Sequence, residues 1–204
     1  MINKMKKLSR EEKTKKTYEA LMTAASVVVG ERGYAGTSIA KVTETAGVSQ
    51  GTFYNYFEDR QSLFDKLLPY VGERMLAEIG KIVPKDVTGA DREIERFRAY
   101  CDYLLQNPAF YRILYEAESF AAKAHAEHIE VIYQGYRRSL KRSMDAGAIE
   151  AMPDEELEAV IFALLGARAY IAMRYGRGQE IPASAIDGYA RLVRQGLFEK
   201  STNT

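Results

Sequence analysis

The sequence predicts an all-α protein of about nine helices, with a three-helix head at the N-terminus and a longer helical body behind it. Three observations predict this. Apolar residues recur every three or four positions over long stretches, the period of one helical face. Proline is scarce, five in 204 residues, and none precedes Pro69. No segment reads as a strand; Val27-Val28-Val29 is β-branched but lies inside a helical pattern.

Ser9-Arg10-Glu11-Glu12 has the form of a capping box and should open a helix over about 10–31, with Leu21, Ala25 and Val28 inward and Gly33 as its stop. Thr37 or Ser38 caps a short second helix to Thr45, and Ala46-Gly47-Val48 is a tight turn. Ser49 caps a third helix from Gln50 to about Phe57. Asp59 caps a long fourth, whose apolar face runs from Leu63 and Phe64 to Ile79 and Ile82; Pro69 inside it predicts a kink or break. A fifth helix spans about 90–106, with Ile94, Phe97, Cys101 and Leu104 inward. Asn107-Pro108 starts a sixth, and a seventh covers about 122–146, ended by Gly147. Pro153-Asp154-Glu155-Glu156 places acids in the first turn of an eighth, where the helix dipole favours them. That helix should reach Tyr175 and end at Gly176 and Gly178. Pro182 opens a ninth, with Ile186, Tyr189, Val193 and Leu197 inward.

Composition narrows the function classes. With 29 Lys+Arg, 28 Asp+Glu and a formal charge of +1, a globally basic, histone-like protein is excluded, but a local basic patch is not. A chain this long buries enough surface to fold without disulfides or metals. Cys101, the single cysteine, fits a reducing compartment and should be a small buried apolar residue. No stretch approaches the roughly 20 apolar residues that span a bilayer. The basic start lacks the apolar region of a signal peptide. The expectation is a cytoplasmic protein without membrane contact.

The informative segment is Thr37 to Leu68. A short helix, a turn on Gly47 and a second short helix opening at Ser49 have helix-turn-helix spacing, in which the second helix enters the major groove by its N-terminal end. Gln50 can bond base edges, and Thr52 can bond a base or touch a thymine methyl. Gly51 permits close backbone approach. Thr37, Tyr54, Tyr56 and the Ser49 amide end suit phosphate contacts, which position without specifying. Phe53 and Phe57, four apart, should face the core. The arm adds charge: the first 17 residues hold Lys4, Lys6, Lys7, Arg10, Lys13, Lys15 and Lys16 against Glu11 and Glu12, a local +5 in a chain of total +1. Such an arm fits phosphate or minor-groove contact, or is a solvated tail.

The runs Gly33-Tyr34-Ala35-Gly36-Thr37-Ser38-Ile39, Ala46-Gly47-Val48-Ser49-Gln50-Gly51-Thr52-Phe53-Tyr54-Asn55-Tyr56-Phe57 and Arg60-Gln61-Ser62-Leu63-Phe64 closely resemble the DNA-binding head of the TetR/AcrR family, over about residues 12 to 68. Beyond that the likeness is in helix count, length and order. The resemblance implies a homodimeric, ligand-responsive, sequence-specific transcriptional regulator, most often a repressor, that binds a double-stranded operator and is released by a small-molecule effector. It divides the chain into a head, 1–58, and a sensing and dimerisation domain, 59–204. It puts Thr37, Ser38, Ser49, Gln50, Gly51, Thr52, Tyr54, Asn55, Tyr56 and Arg60 at DNA-contacting positions. Two residues depart from the pattern. Thr43 stands where a small Ala is usual, and Arg60 where a phosphate-binding Lys is usual; Arg keeps the charge and adds a planar fork.

The body is then the sensor. Helix eight offers Ala159, Ala163, Gly166, Ala167 and Ala169, which allow close approach, and with amphipathic helix nine could build a four-helix bundle across a two-fold axis. Aromatics crowd helices five to eight. Phe97, Tyr100, Tyr103, Phe110, Tyr111, Tyr115, Tyr133, Tyr136, Phe162 and Tyr170, with Phe120 nearby, are the candidate lining of a pocket for a largely apolar or aromatic molecule. Arg112, Glu116 and Arg168 are expected in surface salt bridges rather than as polar anchors. His125 and His128, three apart, could bind a metal, but no second ligand cluster exists and they are expected to be solvated. Neither metal nor cofactor is expected. Gly47-Val48-Ser49-Gln50-Gly51 fits the G-x-S-x-G elbow of serine hydrolases, but that motif needs a strand before it, and Ser49 is better explained as an N-cap. No enzyme is predicted. The rival reading is a helical-bundle small-molecule-binding protein that does not touch DNA.

Overall fold

A computed structural model describes residues 9–84, 86–175 and 179–197. Its helices are α1 (Arg10–Arg32), α2 (Ile39–Ala46), α3 (Gln50–Phe53), α4 (Arg60–Ile82), α5 (Gly89–Gln106), α6 (Pro108–Phe120), α7 (Ala122–Asp145), α8 (Asp154–Tyr175) and α9 (Ala183–Leu192), the last running into a π-helical turn, Val193–Leu197. No strand occurs among the described residues. Lys4, Lys6 and Lys7 of the arm, Gly176 and Gly178, and the Leu197 side chain lie outside the described residues.

Local chemistry sets the boundaries in the head. The Ser9 amide donates to Glu12 Oε2 at 2.7 Å and the Glu12 amide to Ser9 Oγ at 3.1 Å, the capping box of α1. Ser38 caps α2 through the Lys41 amide, and Ser49 caps α3 through the Thr52 amide. Gly47 sits at φ 69°, ψ 31°, the left-handed conformation that a side chain resists, and this turns the chain from α2 into α3. Thr43 is buried where α2 packs, its hydroxyl satisfied by the Ile39 and Ala40 carbonyls, so the departure at this position needs no new partner.

One expected boundary differs, and one alternative left open is decided. The third helix does not run to Phe57: after Phe53 the chain tightens, with Asn55 N bonding Thr52 O and Tyr56 N bonding Phe53 O, both three residues back. That tight turn still seats Phe53 and Phe57 together in the core, with ring centroids 5.2 Å apart. Pro69 does not break α4, which is continuous from Arg60 to Ile82. Burial of Leu67, Leu68, Val71 and Met75 on either side of the proline offsets the one missing amide bond.

One apolar core runs from the head into the body. Leu21, Met22, Val28, Tyr34, Phe53, Leu63, Phe64 and Leu67 join head to α4, and the cluster continues through Phe97, Leu104, Phe110, Ile113, Leu140 and Leu157. α6 packs along α1, and α7 along α4. The α4–α7 approach is close at Gly72: a Cβ there would lie 2.4 Å from the His128 ring. Cys101 is buried as expected.

Candidate DNA interface and ligand cavity

On the head, Ser38, Ser49, Gln50, Gly51, Tyr54, Asn55 and Arg60 are exposed, and Thr52 and Tyr56 are half-buried. Tyr54 stands edge-on to Phe53, its ring 56% exposed. Thr52 shares a 2.9 Å hydroxyl bond with Ser49. Tyr56 leans toward Tyr18 of α1. Thr37 departs from expectation. It is 1% exposed and donates its hydroxyl to Gly33 O at 2.7 Å, so it closes the loop between α1 and α2 and presents no side chain to a phosphate. Its carbonyl instead accepts from Arg60 Nη1 at 3.1 Å, and the Arg60 guanidinium lies over the Phe64 ring. The arm residues Lys13, Lys15 and Lys16 are exposed along the first turns of α1.

The head is tied to the body by a polar latch. The Tyr34 amide donates to Glu116 Oε2 at 2.9 Å. Arg112 Nε pairs with Glu116 Oε1 at 2.7 Å, and Arg112 Nη1 donates to Glu31 O at 3.0 Å. Arg112 and Glu116 form the salt bridge expected of them, half-exposed, and through it also join α6 to the C-terminal end of α1.

A cavity of about 510 Å³ opens between α4, α5, α6, α7 and α8. Met75, Leu76 and Ile79 of α4 and Leu114 of α6 form its apolar side. Of the ten candidate aromatics, Tyr100, Phe110, Tyr115, Tyr136 and Phe162 line it. The other five do not. Phe97 is core, against Tyr189 at 4.3 Å. Tyr103 packs on Phe110 behind the wall. Tyr133 stacks on the back of Phe162. Tyr111 lines a separate hollow beside Gly30, Arg112 and Met173. Tyr170, on the outer face of α8, is 72% exposed. These residues follow the helical period, but a few tens of degrees of rotation decide between core, wall and surface, and sequence alone does not fix that angle.

The polar groups of the wall are the larger departure. Arg168 is not at the surface: with its side chain 12% exposed, it lies 3.1 Å from Glu93, which is 4% exposed. Glu93 Oε1 also accepts the hydroxyls of Tyr136 at 3.2 Å and Tyr189 at 2.6 Å. Burial works against the charged guanidinium, but the Glu93 carboxylate together with Tyr136 and Tyr189 outweighs it, so Arg168 is held above its usual range. Burial, then the same carboxylate, raises Tyr189; burial raises Tyr136 too. Nothing local in the sequence pairs residues 75 apart, so this cluster was not legible.

His128 also departs from expectation. It is 3% exposed, wedged against Gly72, and its Nε2 has no hydrogen-bond partner. Burial, with His125 nearby, pushes its pKa down to about 4, so the ring is neutral near pH 7. The described residues hold no group of three metal-ligating side chains. None of their helices is long and apolar enough to cross a membrane.

Residues 21–67 match the family model described as bacterial regulatory proteins, tetR family. The chain is 35% identical over 85 residues to the HTH-type transcriptional regulator CymR of Pseudomonas putida, covering 40% of this chain and 42% of that protein. It spans about half the length, or less, of the curated relatives it matches. In structure it is similar to the Bacillus subtilis transcriptional regulator FadR solved with stearoyl-CoA, with a TM-score of 0.70 and 17% identity over 88% of this chain and 98% of that one. It is also similar to AibR solved with isovaleryl coenzyme A and operator DNA, with a TM-score of 0.66 and 16% identity over 87% and 97%. At such identities these two structures share the fold.

Proposed function

The N-terminal head belongs to the TetR family of bacterial regulatory proteins, and from that premise we propose that the chain is a ligand-responsive, sequence-specific DNA-binding transcriptional regulator. It acts in the cytoplasm as a repressor released from a palindromic operator by a small, largely apolar or aromatic molecule. The observation that carries this reading is a pairing. The exposed start of α3, with Gln50, Gly51 and Asn55 free of the core, is joined through one continuous helix, α4, to the wall of an apolar cavity. Residues 1–58 are the DNA-binding head and 59–204 the sensing and dimerisation domain. No catalytic step is assigned.

Dimerisation is supported by the outer face of α8 and α9. Tyr170, Met173 and Leu192 are 72%, 42% and 63% exposed, and the small Ala159 and Ala163 of α8 are exposed too. In a two-fold dimer the two α3 segments are presented about one DNA turn, ~34 Å, apart. The effector must bind the DNA-incompetent arrangement better, with a coupling of about 1–3 kcal/mol that is reciprocal, so operator DNA weakens effector binding by the same factor. Acyl-CoA thioesters, which the structures of FadR and AibR contain, are the first compounds to screen.

Selection of bound sites from a random duplex DNA pool tests the reading. One inverted repeat is the expected product. If no site is recovered even after unfolding, stripping and refolding, the chain is instead a helical-bundle small-molecule-binding protein.

A further inference from the structure

We propose that the effector is an anionic amphiphile, its acidic head held by Arg92 and Arg96 of α5 and its apolar body lying along α4 and α6. This rests on the reading of the cavity as the effector site. The cavity wall combines cationic and apolar groups. Arg92, Arg96, Arg138 and Arg168 line it, against the single carboxylate of Glu118 among the described lining residues.

Arg168 has its counter-charge in Glu93. Arg96 has none. Its guanidinium lies over the Tyr136 ring at 5.7 Å, and among the described residues no carboxylate reaches salt-bridge distance of it. Burial disfavours its charge most; Tyr136 and the more distant Glu93 favour it, Arg92 and Arg168 oppose it, and the balance stays against the charge. An arginine does not escape this by losing its proton. Arg92, one turn before Arg96, is fixed from behind. Its Nη1 donates to Pro84 O at 2.8 Å and Val87 O at 3.0 Å, while its Nε is buried without a partner.

Two guanidiniums four residues apart on a helix share a face and repel. An anion between them removes that repulsion and gives Arg96 its counter-ion. A buried charge without a partner is costly, and one with a hydrogen-bonded partner is not. Met75, Ile79 and Leu114 add apolar lining to the same cavity, a dry wall for the body of the ligand. A neutral apolar ligand would displace water from Arg96 and leave it unpaired; a cationic one would be repelled.

The test uses two fluorescent probes that differ by the acid group alone, anilinonaphthalene sulfonate and the neutral N-phenylnaphthylamine, titrated into the full chain and competed against each other. The expected result is that they displace one another and that the sulfonate binds at least about tenfold tighter. Arg96→Met should then weaken the sulfonate to the level of the neutral probe, leave the neutral probe unchanged and keep the melting temperature. If the Met variant folds poorly, Arg96→Gln should show the same selective loss. Equal affinity of the two probes, or a preference for the sulfonate that survives both variants, overturns the anionic head and leaves the effector cavity standing. Failure of both probes to bind overturns the cavity reading, and the proposal with it.

Discussion

Replacing Glu93 with Gln keeps the shape of the side chain and removes its charge. Arg168 then stays buried among Phe97, Tyr136 and Tyr189 without a counter-ion. With the two side chains only 4% and 12% exposed, solvent screens the loss little. Removing one partner of such a pair costs about 3–5 kcal/mol. At about 2–4 °C per kcal/mol for a chain of this size, melting should fall by roughly 6–20 °C. Urea denaturation followed by circular dichroism measures it, with the denaturant slope unchanged if the native state keeps its compactness. The second half of the prediction is sharper. Adding Arg168→Met to Glu93→Gln should recover most of the loss, because the double variant buries no charge, whereas independent sites would give a double variant worse than either single one. A Glu93→Gln variant within about 1 kcal/mol of the parent, or a double variant no better than Glu93→Gln alone, would refute the buried pair as the element that holds α5 against α8.

Acid should destabilise the protein through His128. The unfolded chain takes up a proton below the ordinary 6.5, and the native ring refuses it until about 4; stability therefore falls as pH drops across that window, by up to about 3 kcal/mol. His128→Leu should flatten this part of the profile in urea midpoints measured against pH, and an unchanged slope would show that the ring titrates normally. Gln50→Ala should cost about 1–3 kcal/mol on the selected operator and relax base preference, whereas Lys13→Ala or Lys16→Ala should reduce the salt dependence of binding and leave preference intact. Fluorescence anisotropy across salt concentrations separates the two, and an arm variant with altered base preference would contradict its non-specific role. The Cys101 thiol, buried and pushed up to about 12, should react with a thiol-directed reagent at pH 8 only after unfolding; prompt labelling of the native protein would place it at the surface.

Much of the fold was legible because its signals are local. The Ser9–Glu12 box, the Ser38, Ser49 and Asp59 caps and the Gly47 turn each depend on residues within four positions, and each appears where the spacing puts it. Pro69 left a kink and a break both open, and the tertiary burial on either side of it, which decides against the break, is not local in the sequence. The Gln50–Phe57 segment misled because burial of Phe53 and Phe57 is compatible with a tightened turn as well as with an α-helix. In the cavity, aromatic spacing found helices α5 to α8, and half of the ten candidates line it. That spacing could not find the Glu93–Arg168 pair or the latch from Glu116 to the Tyr34 amide, since their partners are 75 and 82 residues apart. His128 looked solvated in a polar stretch, and only the Gly72 notch on the facing helix lets it sit inside.

The head meets the cavity through two helices that converge on one residue. α4 reaches Tyr34 through the Phe64 ring, centroids 4.7 Å apart, and α6 reaches it through the Glu116 carboxylate at 2.9 Å. Both helices also line the cavity, α4 with Met75, Leu76 and Ile79, and α6 with Leu114 and Tyr115 immediately before Glu116. Tyr34 is fully buried and Arg60 of α4 is bonded to the Thr37 carbonyl, so the loop after α1 has little freedom to absorb a shift of one helix relative to the other. A molecule that wedges α4 from α6 therefore faces two outcomes. Either the head stays with α4 and the Tyr34–Glu116 bond breaks, at about 1.5–3 kcal/mol for a hydrogen bond to a charged group, or the head stays with α6 and the packing of Phe64 on Tyr34 gives way. The first cost matches the whole of a usual allosteric coupling, about 1–3 kcal/mol. In both cases the head is carried with one helix and shifts relative to the other, and such a shift would change the distance between two α3 segments in a dimer.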